Sequence, residues 1–205
     1  DYAAVFVFAL SGSLVASRAQ LDVIGFLFIA CLTGMGGGTV RDTILRRDEI
    51  FWVSDPGYLG VACAAAIVVF FTAHLIEQRY RTILWLDAVA LSAAVAAGVA
   101  VSVSLGASWS IVLIMGVITG CLGGLMRDVV CNEVPLVLKQ GELYAAAALG
   151  GAGASLLVFV TTGLPKLAFV TCILVSFALR GGSLAFGWRL PVYKPRPPRV
   201  LPPRR

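Results

Sequence analysis

The decapeptide Thr33-Gly-Met-Gly-Gly-Gly-Thr-Val-Arg-Asp42 returns 86 residues later as Thr119-Gly-Cys-Leu-Gly-Gly-Leu-Met-Arg-Asp128, with six of the ten positions identical. Both copies lie inside apolar runs that are long enough to cross a membrane as helices. A glycine cluster followed within one turn by an Arg-Asp pair is costly in a bilayer, because charges at membrane depth must be paired or hydrated. The repetition at one fixed offset predicts that the two copies together build a polar feature inside a membrane protein.

The composition is typical of an integral membrane protein. Hydrophobic residues make up 59% of the chain and charged residues only 13%, and the mean hydropathy is +0.92. The apolar runs predict an all-α membrane protein with seven transmembrane helices, near residues 2–18, 23–46, 57–76, 87–104, 109–132, 143–162 and 166–187. These spans form one transmembrane domain over residues 1–188, which leaves no stretch for a large soluble domain.

The 86-residue offset extends beyond the decapeptide and divides this domain into repeats. Tyr58, for example, matches Tyr144. Repeat one covers residues 1–80, repeat two covers residues 87–165, and a seventh helix follows over residues 166–187. Because three spans is an odd number, the second repeat enters the membrane from the opposite side. The sequence therefore predicts two inverted three-helix repeats plus one further helix.

Lysine and arginine in the short loops predict the orientation. With the N-terminus outside, eleven basic residues lie inside and three lie outside. The inner set is Arg18, Arg79, Arg81, Lys139, Arg180, Arg189, Lys194, Arg196, Arg199, Arg204 and Arg205, and the outer set is Arg46, Arg47 and Lys166. We therefore expect the N-terminus outside and the C-terminus in the cytoplasm.

Residues 189–205 are predicted to form a basic, proline-rich cytoplasmic tail, with six basic residues and six prolines among 17. Proline at this density cannot continue a helix. The tail is expected to anchor the topology, and attraction to anionic lipid is the alternative. The net charge of +5 comes largely from this tail, so it does not indicate a nucleic-acid partner.

The repeated decapeptide supplies the candidate pore and gating residues. Glycine costs up to about 1 kcal/mol relative to Ala inside a helix, so each cluster is expected to break its span and free carbonyl oxygens for a cation. The candidates are Thr33, Gly36, Gly37, Gly38, Arg41, Asp42, Thr119, Gly123, Gly124, Arg127 and Asp128. The alternatives are close helix packing at the glycines and a buried clamp, for instance from Arg41 to Asp128.

Other polar positions carry weaker signals. Asp1 and Asp87 begin the first and fourth predicted spans, where N-terminal capping is the simplest expectation and lining of opposite pore mouths is the alternative. The five cysteines show no CxxC or Cys/His spacing, so we expect no metal site and no cofactor.

At the motifs Gly37-Gly38-Thr39-Val40-Arg41-Asp42 and Gly123-Gly124-Leu125-Met126-Arg127-Asp128, the chain resembles the trimeric intracellular cation (TRIC) channel family, in particular its prokaryotic members. The resemblance covers nearly the whole chain: its length, the seven spans, the two repeats and both motifs. It implies a homotrimer in a prokaryotic inner membrane, with one pore in each protomer that conducts monovalent cations, mainly K⁺. It further implies that the second and fifth helices are kinked at the glycines and line the pore.

Two functions remain open at this point. The first is a channel with K⁺ or Na⁺ as the permeant ion and membrane lipid as the other expected ligand. The second is a secondary transporter of a small zwitterion such as an amino acid, because inverted repeats with broken helices also build carriers. An enzyme is not expected, since the sequence has no HExxH or GxSxG motif and an Arg-Asp pair is not a nucleophile with its base.

Overall fold

The protein is a bundle of seven long helices, seen in a computed structural model that describes residues 2–76 and 79–193. In chain order the helices are Tyr2–Arg18 (α1), Val23–Ile44 (α2), Gly57–Thr72 (α3), Arg79–Ser104 (α4), Trp109–Val130 (α5), Ala145–Thr162 (α6) and Pro165–Phe186 (α7). A one-turn helix, Phe51–Ser54, and two 3₁₀ turns, Ala73–Leu75 and Leu136–Leu138, lie between them. No β-strand occurs in the described part of the chain, so the all-α prediction is confirmed.

Six of the helices, α2 to α7, are long and apolar enough to cross a membrane. Helix α1 is also apolar but shorter, with 17 residues, which is near the lower limit for a span. The prediction of a helical integral membrane protein is thus confirmed. Of the predicted tail, residues 194–205 lie outside the described residues.

The fourth helix differs most from its prediction. It begins at Arg79 rather than at residue 87. The added residues are Arg79-Tyr-Arg-Thr82 and the apolar Ile83-Leu-Trp-Leu86, and no proline or glycine among them interrupts the helix. Asp87 therefore lies two turns inside α4, and the expectation that it caps the helix is wrong.

The helices enclose two large apolar cores, and a small third cluster of Phe8, Ala90 and Ala94 lies between α1 and α4. The first is formed mainly by α1, α2 and α3, around residues such as Leu14 and Ile29. The second is formed by α4 to α7, around residues such as Leu91 and Val112. Helices α2 and α5 lie against each other between these cores and join the two halves of the chain.

The contact between α2 and α5 is made through glycine. A Cβ atom on Gly37 would collide with the carbonyl oxygen of Thr119, and a Cβ atom on Gly123 would collide with the carbonyl oxygen of Thr33. The two contacts are reciprocal, since each helix presents a glycine to the other helix's threonine carbonyl. Any side chain larger than hydrogen would force the two backbones apart.

A second pair of equivalent contacts fixes each threonine within its own half of the chain. A Cβ atom on Gly12 of α1 would lie 2.5 Å from Thr33 Oγ1, and one on Gly98 of α4 would lie 2.6 Å from Thr119 Oγ1. These positions are related by the same 86-residue offset. The two halves therefore repeat their packing as well as their sequence.

The expected breaks at the glycines are wrong. Helix α2 is continuous from Val23 to Ile44 and α5 is continuous from Trp109 to Val130, so both glycine clusters lie within regular helix. The intrinsic cost of glycine is offset here by close packing against the partner helix, as in the packing alternative. The carbonyl oxygens near the glycines consequently remain in the helix hydrogen-bond pattern and are not released as ligands.

Replacing Gly37 by alanine tests the crossing. We expect Gly37→Ala to destabilise the protein by about 1 to 3 kcal/mol, because the new methyl group must push α5 away. Gly153→Ala in α6 is the matched control, since no atom outside the helix lies within 4 Å of its Cβ position. Thermal unfolding in detergent measures both variants, and equal midpoints would show that the α2–α5 contact is not tight.

Candidate functional site

A cleft opens beside the α2–α5 crossing, between α1, α2, α4 and α5. The cleft is narrow, with a cavity volume of about 30 Å³. Five of the predicted site residues line it, namely Thr33, Gly37, Gly38, Arg41 and Thr119. The other lining residues are Ala4, Val5, Phe8, Gly34, Phe51, Ala94 and Ala97.

The polar groups of this cleft are few. The hydroxyl groups of Thr33 and Thr119 donate to the carbonyl oxygens of Ile29 and Met115, each over 2.6 Å. Each hydroxyl oxygen can still accept a hydrogen bond, because a hydroxyl group has two lone pairs. The charged group at the cleft is Arg41. The cleft can thus offer oxygen atoms and one guanidinium group to a small polar species.

Arg41 is paired with its own neighbour. Its Nε donates to Asp42 Oδ1 over 2.7 Å, and the other carboxylate oxygen, Oδ2, accepts the backbone N–H of Phe51 over 2.9 Å. Arg47 adds a longer ion pair to the same oxygen, at 3.2 Å. The Asp42 side chain is fully buried. Its carboxylate holds both the Arg41 side chain and the loop that follows α2 in place.

Arg127 repeats this arrangement and adds to it. Its Nε donates to Asp128 Oδ1 over 2.8 Å, and Asp128 Oδ2 accepts the backbone N–H of Leu136 over 2.9 Å. Its Nη1 also donates to Asp87 Oδ1 over 3.0 Å and to Ser11 Oγ over 2.5 Å. The guanidinium group is fully buried and joins α1, α4 and α5.

The suggested ion pair between Arg41 and Asp128 is wrong, because each arginine bonds the aspartate next to it in sequence.

The predicted residues that do not line the cleft lie at different places in the bundle. Gly36 packs against the Met126 methyl group. A Cβ on Gly124 would lie 3.1 Å from the Tyr144 hydroxyl oxygen. The structure therefore divides the predicted site into the cleft around Arg41 and a buried cluster around Arg127.

Sequence reasoning missed a second buried ion pair. Arg180 of α7 is fully buried and donates through Nη1 to Glu142 Oε2 over 2.7 Å, and its guanidinium carbon lies 5.0 Å from the centre of the Tyr144 ring. It was counted with the basic residues of the inner side, and it lies within the predicted seventh span and within α7. Neither hydropathy nor the repeat marks this pair, since Arg180 has no counterpart in either repeat.

Ser11 and Asp87 were also absent from the predicted site. The signal for Asp87 was its equivalence with Asp1, which showed a carboxylate at the same place in both repeats. Asp1 itself lies outside the described residues. Ser11 gave no such signal, because the equivalent position in repeat two is Ala97.

A family model described as Glycine transporter matches residues 1–74 and 84–161, one segment in each half of the chain. A solved structure described as a TRIC trimeric intracellular cation channel orthologue from Rhodobacter sphaeroides has 38% sequence identity and a TM-score of 0.88. The superposition covers 91% of this chain and 96% of that one. The chain belongs to the TRIC family.

Further relatives agree with this membership. The UPF0126 inner membrane protein YadS of Escherichia coli is 34% identical over 198 residues, which cover 94% of each chain. The UPF0126 membrane protein of Vibrio cholerae is 35% identical over 196 residues, covering 91% of this chain and 78% of its relative. A structure described in connection with conductance through TRIC cation channels is 27% identical, with a TM-score of 0.86 and 96% of both chains covered.

The buried cluster of this TRIC-family chain makes a stability prediction. Arg127→Gln leaves the carboxylates of Asp87 and Asp128 buried without their cation, so we expect a loss of about 3 to 5 kcal/mol. Arg18→Gln is the matched control, since it removes a pair with Glu133 whose side chains are 35% and 30% exposed. An exposed pair of this kind contributes at most about 1 kcal/mol.

Thermal unfolding in detergent at low ionic strength compares the two variants. Equal stability of Arg127→Gln and Arg18→Gln would mean that water, rather than the two carboxylates, solvates the Arg127 guanidinium group.

Proposed function

We propose that the protein is a monovalent-cation channel, conducting mainly K⁺, with a passage inside each protomer. The observation that carries the proposal is the cleft at the α2–α5 crossing, which brings Thr33, Thr119 and Arg41 of the two repeated motifs to one open space. The description of the related solved structures as cation channels supports the choice of a cation. In this proposal α2 and α5 line the passage.

The threonine hydroxyl groups, rather than backbone carbonyls, serve as the oxygen ligands in this passage. Thr33 and Thr119 each donate their proton to their own helix, which leaves the hydroxyl oxygen to face a cation. A channel needs ligands that bind an ion weakly enough for it to leave, and two neutral oxygens at an apolar constriction meet that condition. The continuous helices support this choice, because backbone carbonyl oxygens inside a helix are hydrogen-bonded to backbone N–H groups.

The two repeats are proposed to have inverted topology, with the N-terminus outside and the C-terminus in the cytoplasm. Once the buried Arg180 is removed from the loop charges, ten basic residues lie inside and three outside, so the charge bias has the same sign. In this orientation the cleft around Arg41 opens toward the outer side. The cluster around Arg127 lies in the inner half.

The assembly is proposed to be a homotrimer in a prokaryotic inner membrane. The description of a relative as a trimeric channel and of another as an inner membrane protein supports this state and location. The membrane-facing helices expose large apolar side chains, for example Phe28 and Phe71, which contact lipid or a neighbouring protomer.

Planar-bilayer recording of the purified protein in asymmetric KCl tests the proposed function. We expect discrete openings with a reversal potential near that of K⁺, because an open cation-selective pore passes K⁺ passively down its electrochemical gradient. Detergent-treated bilayers without protein are the control. An absence of openings together with saturable glycine uptake into proteoliposomes would contradict the channel.

That second outcome corresponds to the other candidate, a secondary transporter of a small zwitterion. The observation that favours it is the description of the matching family model as Glycine transporter. Arg41 at the cleft could pair with the carboxylate of an amino acid, and the hydroxyl oxygens could accept from its ammonium group. Saturable, slow and counter-transportable flux distinguishes this carrier from a channel.

Arg41→Ala tests whether the cleft lies on the conduction path. The substitution removes a positive charge from the passage, so we expect the unitary K⁺ conductance to rise by a factor of about two or more. Arg47→Ala is the control, because Arg47 also pairs with Asp42 but does not line the cleft. Single-channel recording at fixed KCl measures both variants. Loss of folded Arg41→Ala protein, with normal conductance in what survives, would assign Arg41 to a structural clamp.

A further inference from the structure

An apolar crevice lies between α4, α6 and α7, at the end of the bundle where α4 and α6 end and α7 begins. Its cavity volume is about 280 Å³, and it shares no lining residue with the cleft beside the α2–α5 crossing. Nine of its eleven lining residues are apolar, and the two others are Ser104 and Ser155. The crevice is therefore a separate space that suits hydrocarbon better than water.

Small buried residues form the inner wall of the crevice. Ala96 and Ala168 are buried. The Ser155 side chain is also buried, and its hydroxyl group donates to the Ala168 carbonyl oxygen over 2.9 Å. This hydrogen bond joins α6 to α7 and satisfies the buried hydroxyl group of the wall. An occupant therefore meets methyl groups and aromatic rings rather than an unpaired polar group.

The crevice has nearly the length of one membrane leaflet. Along α4 its lining runs from Ala96 to Ser104, and eight residues of helix rise about 12 Å. Half of a hydrocarbon core about 30 Å thick is about 15 Å. All three helices are long and apolar enough to cross a membrane, and the lining residues Ala100 and Phe169 are exposed. The open side consequently faces the hydrocarbon of the leaflet at this end of the bundle.

The crevice is too narrow to receive a helix of a neighbouring protein. Its volume divided by its length gives a mean cross-section of about 23 Å². An α-helix with its side chains is about 10 to 12 Å across. A neighbouring helix would therefore cover the crevice without filling it, whereas a single hydrocarbon chain can enter along its whole length.

Aromatic rings mark the membrane surface at the mouth of the crevice. Trp109 begins α5 and is 52% exposed. The centre of its ring lies 6.3 Å from that of Phe159, which lines the crevice. Tryptophan is enriched at the interface between membrane and water. The mouth therefore lies at the level of the lipid headgroups.

The charge at this mouth is positive. Lys166 is exposed and directly follows Pro165, which lines the crevice. None of the ion pairs among the described residues includes Lys166. The neighbouring connections, residues 105–108 and 163–164, contain no charged residue. The ammonium group of Lys166 is thus available to a phosphate group at the headgroup level.

We propose that the crevice between α4, α6 and α7 binds an anionic glycerophospholipid, with one acyl chain along α4 and the phosphate group beside Lys166. In the proposed orientation this lipid belongs to the outer leaflet. The acyl chain fills the crevice and gains packing contacts, and Lys166 supplies the preference for a negative headgroup. The site does not depend on whether the protein conducts ions.

Ala100→Phe tests the position of the acyl chain, because the aromatic ring takes the space that the chain needs. Native mass spectrometry of the purified protein in detergent, with phosphatidylglycerol added, measures the lipid bound to each protomer. We expect one phosphatidylglycerol per protomer in the unmodified protein and about tenfold weaker binding in Ala100→Phe. Ala64→Phe is the matched control, since Ala64 is exposed on α3 and does not line the crevice.

Lys166→Gln tests the headgroup and keeps the proposal falsifiable if Ala100→Phe does not fold, because Lys166 is exposed. We expect phosphatidylglycerol to bind about fivefold more weakly and phosphatidylcholine to bind as before. Arg46→Gln is the matched control, since Arg46 is also an exposed cation of the predicted outer side and does not line the crevice.

Equal phosphatidylglycerol binding by Ala100→Phe and Ala64→Phe would overturn the site. Equal binding of phosphatidylglycerol and phosphatidylcholine by the unmodified protein would also overturn it, because Lys166 would then select no headgroup. A smaller assembly in Ala100→Phe, with the assembly of Ala64→Phe unchanged, would assign the crevice to a contact between copies of the chain instead.

Discussion

The direct contact of two helix backbones at the α2–α5 crossing is the constraint on which the rest of the structure depends. Gly37 and Gly123 allow each helix to meet the carbonyl oxygen of the other helix's threonine, and this contact sets the distance between the two apolar cores. Both threonines also line the cleft beside the crossing. Small residues such as Gly37, Gly38 and Ala97 line it as well, and they leave space that larger side chains would fill.

At each end of this crossing, a buried arginine is neutralised by the aspartate next to it in sequence. Each arginine pairs with the carboxylate that follows it in the chain, so this ion pair needs no residue from another helix. The cluster around Arg127 also contains Asp87, which makes its formal charge −1 when Arg127, Asp87 and Asp128 are counted together.

Much of this fold could be predicted because two strong signals run along the whole chain. Hydropathy located the helices, and the 86-residue offset located the repeats. Hydropathy did not locate the start of α4, which lies upstream of the repeat boundary at Asp87 and includes the apolar stretch Ile83-Leu-Trp-Leu86. It also could not show that glycines in α2 continue the helix, because Thr119, the packing partner of Gly37, is 82 positions away in the chain. The ion pair of Arg180 could not be predicted for a related reason: its partner, Glu142, is 38 positions away.

Each aspartate of the repeated motif also ties its helix to a loop, with a consequence for how the protein can vary. Asp42 accepts the N–H of the ninth residue after it, and Asp128 accepts the N–H of the eighth. The same carboxylate also accepts a hydrogen bond from the arginine. The number of residues in each loop therefore determines where the buried arginine is held. An insertion or deletion within residues 43–50 or 129–135 would displace that cation inside the membrane. In these two short connections, a change of length would therefore disturb the buried charges more than a change of residue type.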